Sequence, residues 1–270
     1  MNHWQLVVAG LLCFKEMQVE PQVYIGTSGW SYKSWDKTFY PKRVPKAGQF
    51  EFYTTQFPTV EINNTFYRLP TPKMVLGWRN KAPPGFIYAV KGSRFITHMK
   101  KIANLDGALD KFFDRINPMH KRIGPILWQL PPFLKKDPAR LEGFLRVLPS
   151  SYSHAVEFRH PSWMDDEIFS TLHRHQVAHA SVSSLVMPMN LTVTADIVYL
   201  RFHGLDNGAA HDYTRAELKP WAAHIHEQAR SGKRVFAYFN NDLNVRAPAN
   251  ARMLMGMVGD SVAQPFAQAA

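Results

Sequence analysis

Eight runs of strand length, rich in β-branched and aromatic residues, recur along the chain and alternate with helix-like stretches. They fall at 23–28, 59–63, 86–91, 125–130, 154–159, 177–183, 197–203 and 234–240. Their starts are about 30 residues apart, the length of one βα unit, and eight such units predict an α/β protein with a (β/α)8 TIM-like barrel. Helices are expected at 71–81, 105–119, 138–148, 163–175, 214–231 and 249–258. Asp137 before Pro138 offers a capped start, and the Thr214 to Glu217 spacing is that of a capping box. Between the sixth and seventh runs only a loop containing Pro188 fits, so the sixth crossover helix is expected to be missing or short. The barrel is assigned to 23–258 as a single domain, with 1–22 as an N-terminal extension outside the fold and 259–270 as a C-terminal tail. Met17 is an alternative start just ahead of the first strand.

Composition narrows what such a barrel would meet. The apolar run Leu6 to Phe14 is far short of the roughly 20 residues of a membrane span, so no membrane partner is expected. The single Cys13 removes an intramolecular disulfide and a CxxC zinc site, and fits a reducing, cytoplasmic setting. The net charge of +11 favours anionic partners.

Strand parity then locates a site. Side chains alternate between barrel interior and helix-facing side, and barrel active sites sit at the C-terminal strand ends. Setting Val60, Ile62, Val156, Phe158, Leu200 and Phe202 outward leaves Glu61, Asn63, Glu157, Arg159, Tyr199, Arg201 and His203 inward. The same parity turns Ser28, Lys91, Gln129, Asn240 and Asp242 toward the mouth. A structural barrel could fill these positions with Val, Ile and Ala, and charges are costly to bury without partners. The set therefore reads as a site. Ion pairing near the mouth is the competing explanation for any one member.

Two guanidinium groups, Arg159 and Arg201, would clamp a small anionic substrate, phosphorylated or carboxylated. Lys91 would assist, or act as a Schiff-base amine if desolvated. Glu157, then Glu61, are the acid/base candidates, with His203, His98 and His160 as other titratable groups. Asn63, Gln129, Asn240, Asn241 and Asp242 would orient the substrate, and Trp30, Tyr32, Tyr67 and Trp163 would line or cover it. Glu61, Glu157, His160, His203 and Asp242 would also suit a metal, but the flanking cations oppose one. No metal and no cofactor are expected. Isomerase, lyase and hydrolase chemistry all remain open, and Arg201→Ala is expected to abolish anion binding without unfolding the chain. The runner-up is a nucleic-acid-binding or nucleic-acid-processing barrel, and a third reading is a non-catalytic ligand-binding module.

The sequence resembles the YecE-like family, also called domain of unknown function seventy-two. The resemblance rests on IGTSGWSY at 25–32, VEINNTFYRLP at 60–70, AVK at 89–91 with ITH at 96–98, and QLPP at 129–132. It continues through EFRH at 157–160 with Ser162 and Trp163, RFHG at 201–204, and YFNND at 238–242 with Asn250 and Ala251. It implies a bacterial TIM-like barrel, usually cytoplasmic, and supplies no established activity. It also implies an acidic residue after the sixth strand, where this chain has Ser183, which would leave the mouth more cationic and favour the non-catalytic reading.

Overall fold

The computed structural model describes residues 23–267. Residues 1–22, expected to precede the barrel, lie outside the described residues. Eight parallel strands close into a barrel in chain order: β1 Val23–Ser28, β2 Thr59–Ile62, β3 Ile87–Lys91, β4 Ile123–Gln129, β5 His154–Glu157, β6 Ala178–Ser184, β7 Ile197–Gly204 and β8 Arg234–Phe239. The ring closes where β1 pairs with β8, from Val23 opposite Val235 to Thr27 opposite Phe239. Both faces of every strand are covered, so the strands read as near-continuous apolar runs.

The helices are α1 Gln49–Thr54, α2 Asn64–Tyr67, α3 Pro72–Lys81, α4 Ala108–Ile116, α5 Pro138–Arg146, α6 Asp166–Arg174, α7 Arg215–Arg230 and α8 Arg246–Val258. Side-chain caps set several starts: Thr71 accepts from the Met74 N–H at 3.3 Å, Asp137 from Arg140 at 3.0 Å, and Thr214 and Glu217 form the expected reciprocal box. The helix expected over 105–119 is shorter, because Pro118 lacks an N–H and the chain tightens into a narrower turn over Asn117–Arg122. The short α1 and α2 were not legible as helices. No helix lies between β6 and β7, as expected. The connection is instead pinned by Thr194, whose hydroxyl donates to the Val177 carbonyl (2.7 Å) and accepts from the His179 N–H (2.8 Å).

Two apolar clusters divide as parity predicts. The outer one packs Val60, Ile62, Val156, Phe158, Leu200 and Phe202 against the helices. The inner one sets Ala89, Ala155, Ala178 and Ala180 opposite Tyr24, Tyr199, Phe236 and Tyr238. Small residues on one wall and rings on the other fill the lumen at side-chain density, with Tyr24 stacked on Phe236 at 5.1 Å. The lumen is thus plugged by side chains below the C-terminal strand ends.

The segment after residue 258, expected as a tail, joins this packing. The Ala263 N–H donates to the Val23 carbonyl (2.8 Å), and the Phe266 ring lies 6.1 Å from Phe86. Apolar side chains at Val262 and Phe266 explain why it stays against the barrel.

Gly204 ends β7 with φ +90°, and a Cβ there would lie 1.7 Å from the Gly208 carbonyl oxygen. Only glycine turns the chain here without strain. Gly204→Ala is expected to cost about 3 kcal/mol, from backbone strain plus the forced shift of the loop. Urea denaturation checks this; an unchanged midpoint would show that the loop relaxes freely.

No helix among the described residues is long and apolar enough to cross a membrane.

Candidate functional site

Above the lumen rings the inward side chains change from apolar to charged. Arg201 on β7 is fully buried and lies between two fully buried carboxylates. Its Nη1 donates to Glu157 Oε2 at 2.5 Å and its Nη2 to Glu61 Oε1 at 2.7 Å. Each carboxylate has both oxygens taken. Glu61 also accepts from the Ser28 hydroxyl (2.8 Å) and the Tyr199 hydroxyl (2.6 Å); Glu157 also accepts from Arg159 Nη1 (2.9 Å) and borders His203 Nε2 (3.1 Å). The network thus joins β1, β2, β5 and β7 across the barrel axis.

Burial alone would raise both carboxyl pKa values, but Arg201 reverses the sign. Glu157 is held well below the usual carboxylate range, with His203 and Arg159 adding to Arg201; Glu61 is lowered with help from Lys91 and Tyr199. Burial works against the Arg201 charge, and the two carboxylates more than restore it. Both glutamates stay ionised at neutral pH.

One layer nearer solvent the balance turns positive. Lys91 at the end of β3 has no carboxylate within salt-bridge distance of Nζ among the described residues; Nζ sits 4.3 Å from the centre of the Phe66 ring. Burial, then Arg201, bring its pKa down to about 8, with Glu61 and Glu157 partly offsetting them. The His98 ring meets the edge of the same Phe66 at 5.0 Å, placed by a π-helical turn over Phe95–Met99. Burial, Lys91 and Arg94 lower its pKa. His203 sets Nδ1 against the Asn240 amide (3.1 Å) and Nε2 against Glu157 Oε1 (3.1 Å), Arg159 Nη1 (3.2 Å) and Arg201 Nη1 (3.3 Å). Burial also lowers its pKa, so the neutral ring is favoured.

Lys91 and Asn240 line a cleft of about 720 Å³ together with Trp30, Tyr32, Asn63, Tyr67 and Asp242. Burial raises the Asp242 carboxyl pKa. Trp30 is wedged against Phe50 and Trp78, while Tyr67 is 71% exposed and free to meet a ligand. Tyr32 is tied to the Ser28 carbonyl through its hydroxyl. Gln129 stands beside Glu157 in the strand register, at the rim.

Four expected site residues are placed otherwise. Arg201 is not an open clamp, because its guanidinium is enclosed by Glu61 and Glu157. Trp163 is fully buried on the outer face, stacked on Phe158 at 4.8 Å with its indole N–H on the Leu134 carbonyl. Asn241 is fully buried with the opposite parity to Asn240, and its amide holds the His211 carbonyl and Asn250. His160 caps a single turn through Nδ1, which accepts from the Ser162 N–H at 3.1 Å. Ser183 likewise points outward, where the Tyr213 hydroxyl donates to it at 2.8 Å. The inward neighbour of Arg201 on β6 is Val182. The Ser183 side chain therefore leaves the charge of the mouth unchanged. Phe66, the ring shared by Lys91 and His98, was missed as a site residue, although it lies just past a strand end and within the 60–70 motif. Among the described residues no group of three or more His, Cys, Asp or Glu gathers as a metal site.

Fold and site together define a TIM-like barrel protein with a polar, cationic cleft at the C-terminal ends of its strands. The chain belongs to the DUF72 family: the model described as "Protein of unknown function DUF72" matches residues 24–270. It is similar to the UPF0759 protein YecE of Escherichia coli strain K12, 32% identical over 142 residues, or 52% of this chain and 50% of that protein. The match thus spans about half the length of that curated relative. UPF0759 protein YunF of Bacillus subtilis strain 168 is 23% identical over 273 residues, 87% of this chain and 94% of that protein. Among solved structures, a DUF72 family protein from Thermotoga maritima superposes with a TM-score of 0.81 at 28% identity, covering 88% of this chain and 99% of that one. Another from Enterococcus faecalis gives 0.74 at 18%, covering 87% and 95%.

Proposed function

We propose that the mouth binds a small metabolite carrying a phosphate or carboxylate group, held by Lys91 and the outer edge of Arg159. The observation that carries this reading is the unpaired charge of Lys91. Arg201 and Arg159 answer the two buried glutamates, and the next cation in the cleft faces no carboxylate. A partly buried cation with no carboxylate in direct contact, only partly offset by the more distant Glu61 and Glu157, would be stabilised by an anionic ligand. Asn63, Asn240 and the exposed Tyr67 stand where the rest of a ligand would lie.

Glu61 and Glu157 serve in this reading as anchors of the charge network. Groups that stay ionised and fully hydrogen-bonded are poor proton carriers near neutral pH. Asp242, His203 and His98 are better placed for proton transfer. Isomerase, lyase and hydrolase chemistry all fit such a set, and so does binding without turnover.

Calorimetric titration with inorganic phosphate and with glycolate tests the reading. Lys91→Met is expected to weaken anion binding by about tenfold or more, the value of one charge-assisted bond. Equal affinity in a folded Lys91→Met protein would remove the lysine from the site.

A second reading, single-stranded nucleic acid, is favoured by a neighbouring cleft of about 550 Å³ that shares Tyr67 and Arg68 and adds Arg94, Phe95, Lys100 and Lys111. Exposed rings beside cations are the ingredients of base stacking and phosphate contact. An affinity for oligonucleotide that falls steeply with salt supports it, and saturable phosphate binding at constant salt supports the first.

A further inference from the structure

Resting on the anion-binding reading of the mouth, we propose that Lys91 is an amine nucleophile that forms a covalent imine with ligands carrying a carbonyl beside their anionic group. An amine nucleophile must be reachable, free of a carboxylate and partly unprotonated at working pH. Lys91 meets the first condition because it ends β3 at the open end of the barrel and lines the cleft. It meets the second because no carboxylate oxygen lies within salt-bridge distance and no hydrogen-bond acceptor is engaged by Nζ among the described residues. Lys46, Lys81, Lys136 and Lys233, by contrast, each hold a carboxylate. The third follows from burial, then the nearby Arg201, which bring the pKa down to about 8 against the opposing pull of Glu61 and Glu157. Roughly a tenth of the side chain is then the free amine at pH 7.

The chemistry balances within the cleft. The Nζ lone pair attacks the carbonyl carbon, the C–O π electrons move to oxygen, and the proton lost from nitrogen ends on that oxygen to give a carbinolamine. Departure of the hydroxyl with one further proton releases a single water and leaves a C=N iminium. Asp242, whose carboxyl burial keeps protonated to higher pH, is the acid we assign to that departure. Water reverses the sequence, and no oxidant or reductant enters. The iminium draws electrons from the adjacent carbon, the step shared by imine-forming lyases. Arg159, whose side chain stays partly exposed beside Glu157, would hold the neighbouring carboxylate or phosphate.

The test incubates the full chain with glyoxylate, an aldehyde beside a carboxylate, and sodium cyanoborohydride, which reduces the imine to a stable secondary amine. Peptide mass mapping reads where the carboxymethyl group lands. Lys91 is expected to be labelled at least ten times faster than Lys100 or Lys101, with a rate that rises through a midpoint near about 8. Glycolate, the same anion without a carbonyl, is expected to slow the labelling, and Lys91→Arg is expected to abolish the fast site. Labelling spread evenly over exposed lysines overturns the proposal. Calorimetric binding of glycolate without preferred labelling of Lys91 leaves the anion reading standing and removes the imine. Fast labelling of Lys91 that glycolate neither slows nor competes with keeps the imine and removes the anion reading.

Discussion

Arg201→Ala is expected to lose about 3–5 kcal/mol of stability, a large share of the roughly 5–15 kcal/mol that holds a typical chain folded. The guanidinium is fully buried and, among the described residues, is the one group that touches both Glu61 and Glu157. Its removal leaves two ionised carboxylates in the barrel with Ser28, Tyr199, Arg159 and His203 as their remaining partners. The sequence-based expectation was the opposite, a folded protein that had lost its anion site. Arg201→Lys is expected to recover only part of the loss, because one ammonium cannot reach two carboxylates as a planar fork does. The triple variant Arg201→Met, Glu61→Gln, Glu157→Gln is expected to be more stable than Arg201→Ala, since it removes the uncompensated charges as well as their partner. Urea denaturation of the three variants checks the series. A stability for Arg201→Ala within about 1 kcal/mol of the parent would mean that water reaches the network and that its burial has been misjudged.

Parity explains why so much of the site was legible and where legibility stopped. A strand buried on both faces must alternate lumen and helix sides, so Glu61, Glu157, Arg201 and His203 followed from their apolar neighbours. The rule fails once the strand ends. Asn241 and Trp163 lie beyond β8 and β5, where loop geometry rather than alternation decides direction, and both turned into the packing. Ser183 lies within β6, and there parity itself points it outward, opposite Phe202 in register. The resemblance had drawn it into the mouth; strand geometry returns it to the outer face. Charge alone also could not distinguish an arginine that waits for a ligand from one already satisfied. That difference is set by whether the carboxylates lie across the lumen within about 3 Å, which depends on barrel closure and is not visible along the chain. Arg201 and Lys91 illustrate the two outcomes at neighbouring heights in one barrel. The C-terminal segment was misjudged for a related reason: its weak pattern gives no hint that Val262 and Phe266 find apolar partners 239 and 180 residues earlier, at Val23 and Phe86.

The second large effect is expected in acid and resides away from the mouth, in two buried histidines on the outer face of the barrel. His154 accepts the Trp128 indole N–H at Nδ1 (3.2 Å) and places Nε2 against the Pro149 carbonyl (3.0 Å), which fixes the neutral ring with its proton on Nε2. Protonating Nδ1 would convert that acceptor into a donor facing another donor. His179 is packed between Phe158 and Phe169, and its Nδ1 has no hydrogen-bond partner among the described residues. Burial brings both pKa values down to about 4 from the usual 6.5, with the Pro149 carbonyl opposing at His154 and Thr192 opposing at His179.

The sign follows from which state binds the proton. Between about pH 6.5 and 4 the unfolded chain protonates these rings and the native chain does not, so stability falls as pH falls. Each ring contributes a loss of about 3 kcal/mol when the window is fully crossed, and His98 and His203, lowered in the same direction, add to it. The depressed carboxyls of Glu61 and Glu157 act later, since their contribution is present above the unfolded carboxyl pKa and is lost only as pH falls through their lower native values. The protein is therefore expected to weaken well before ordinary acid denaturation of its carboxylates begins. Urea midpoints measured in steps from pH 7 to 4 check the slope, and His154→Gln, which keeps an acceptor for Trp128 but takes up no proton, is expected to remove about half of the share owed to the two outer histidines. A midpoint that stays flat down to pH 4.5 would show that both rings reach water, and an unchanged slope in His154→Gln would place the proton uptake elsewhere.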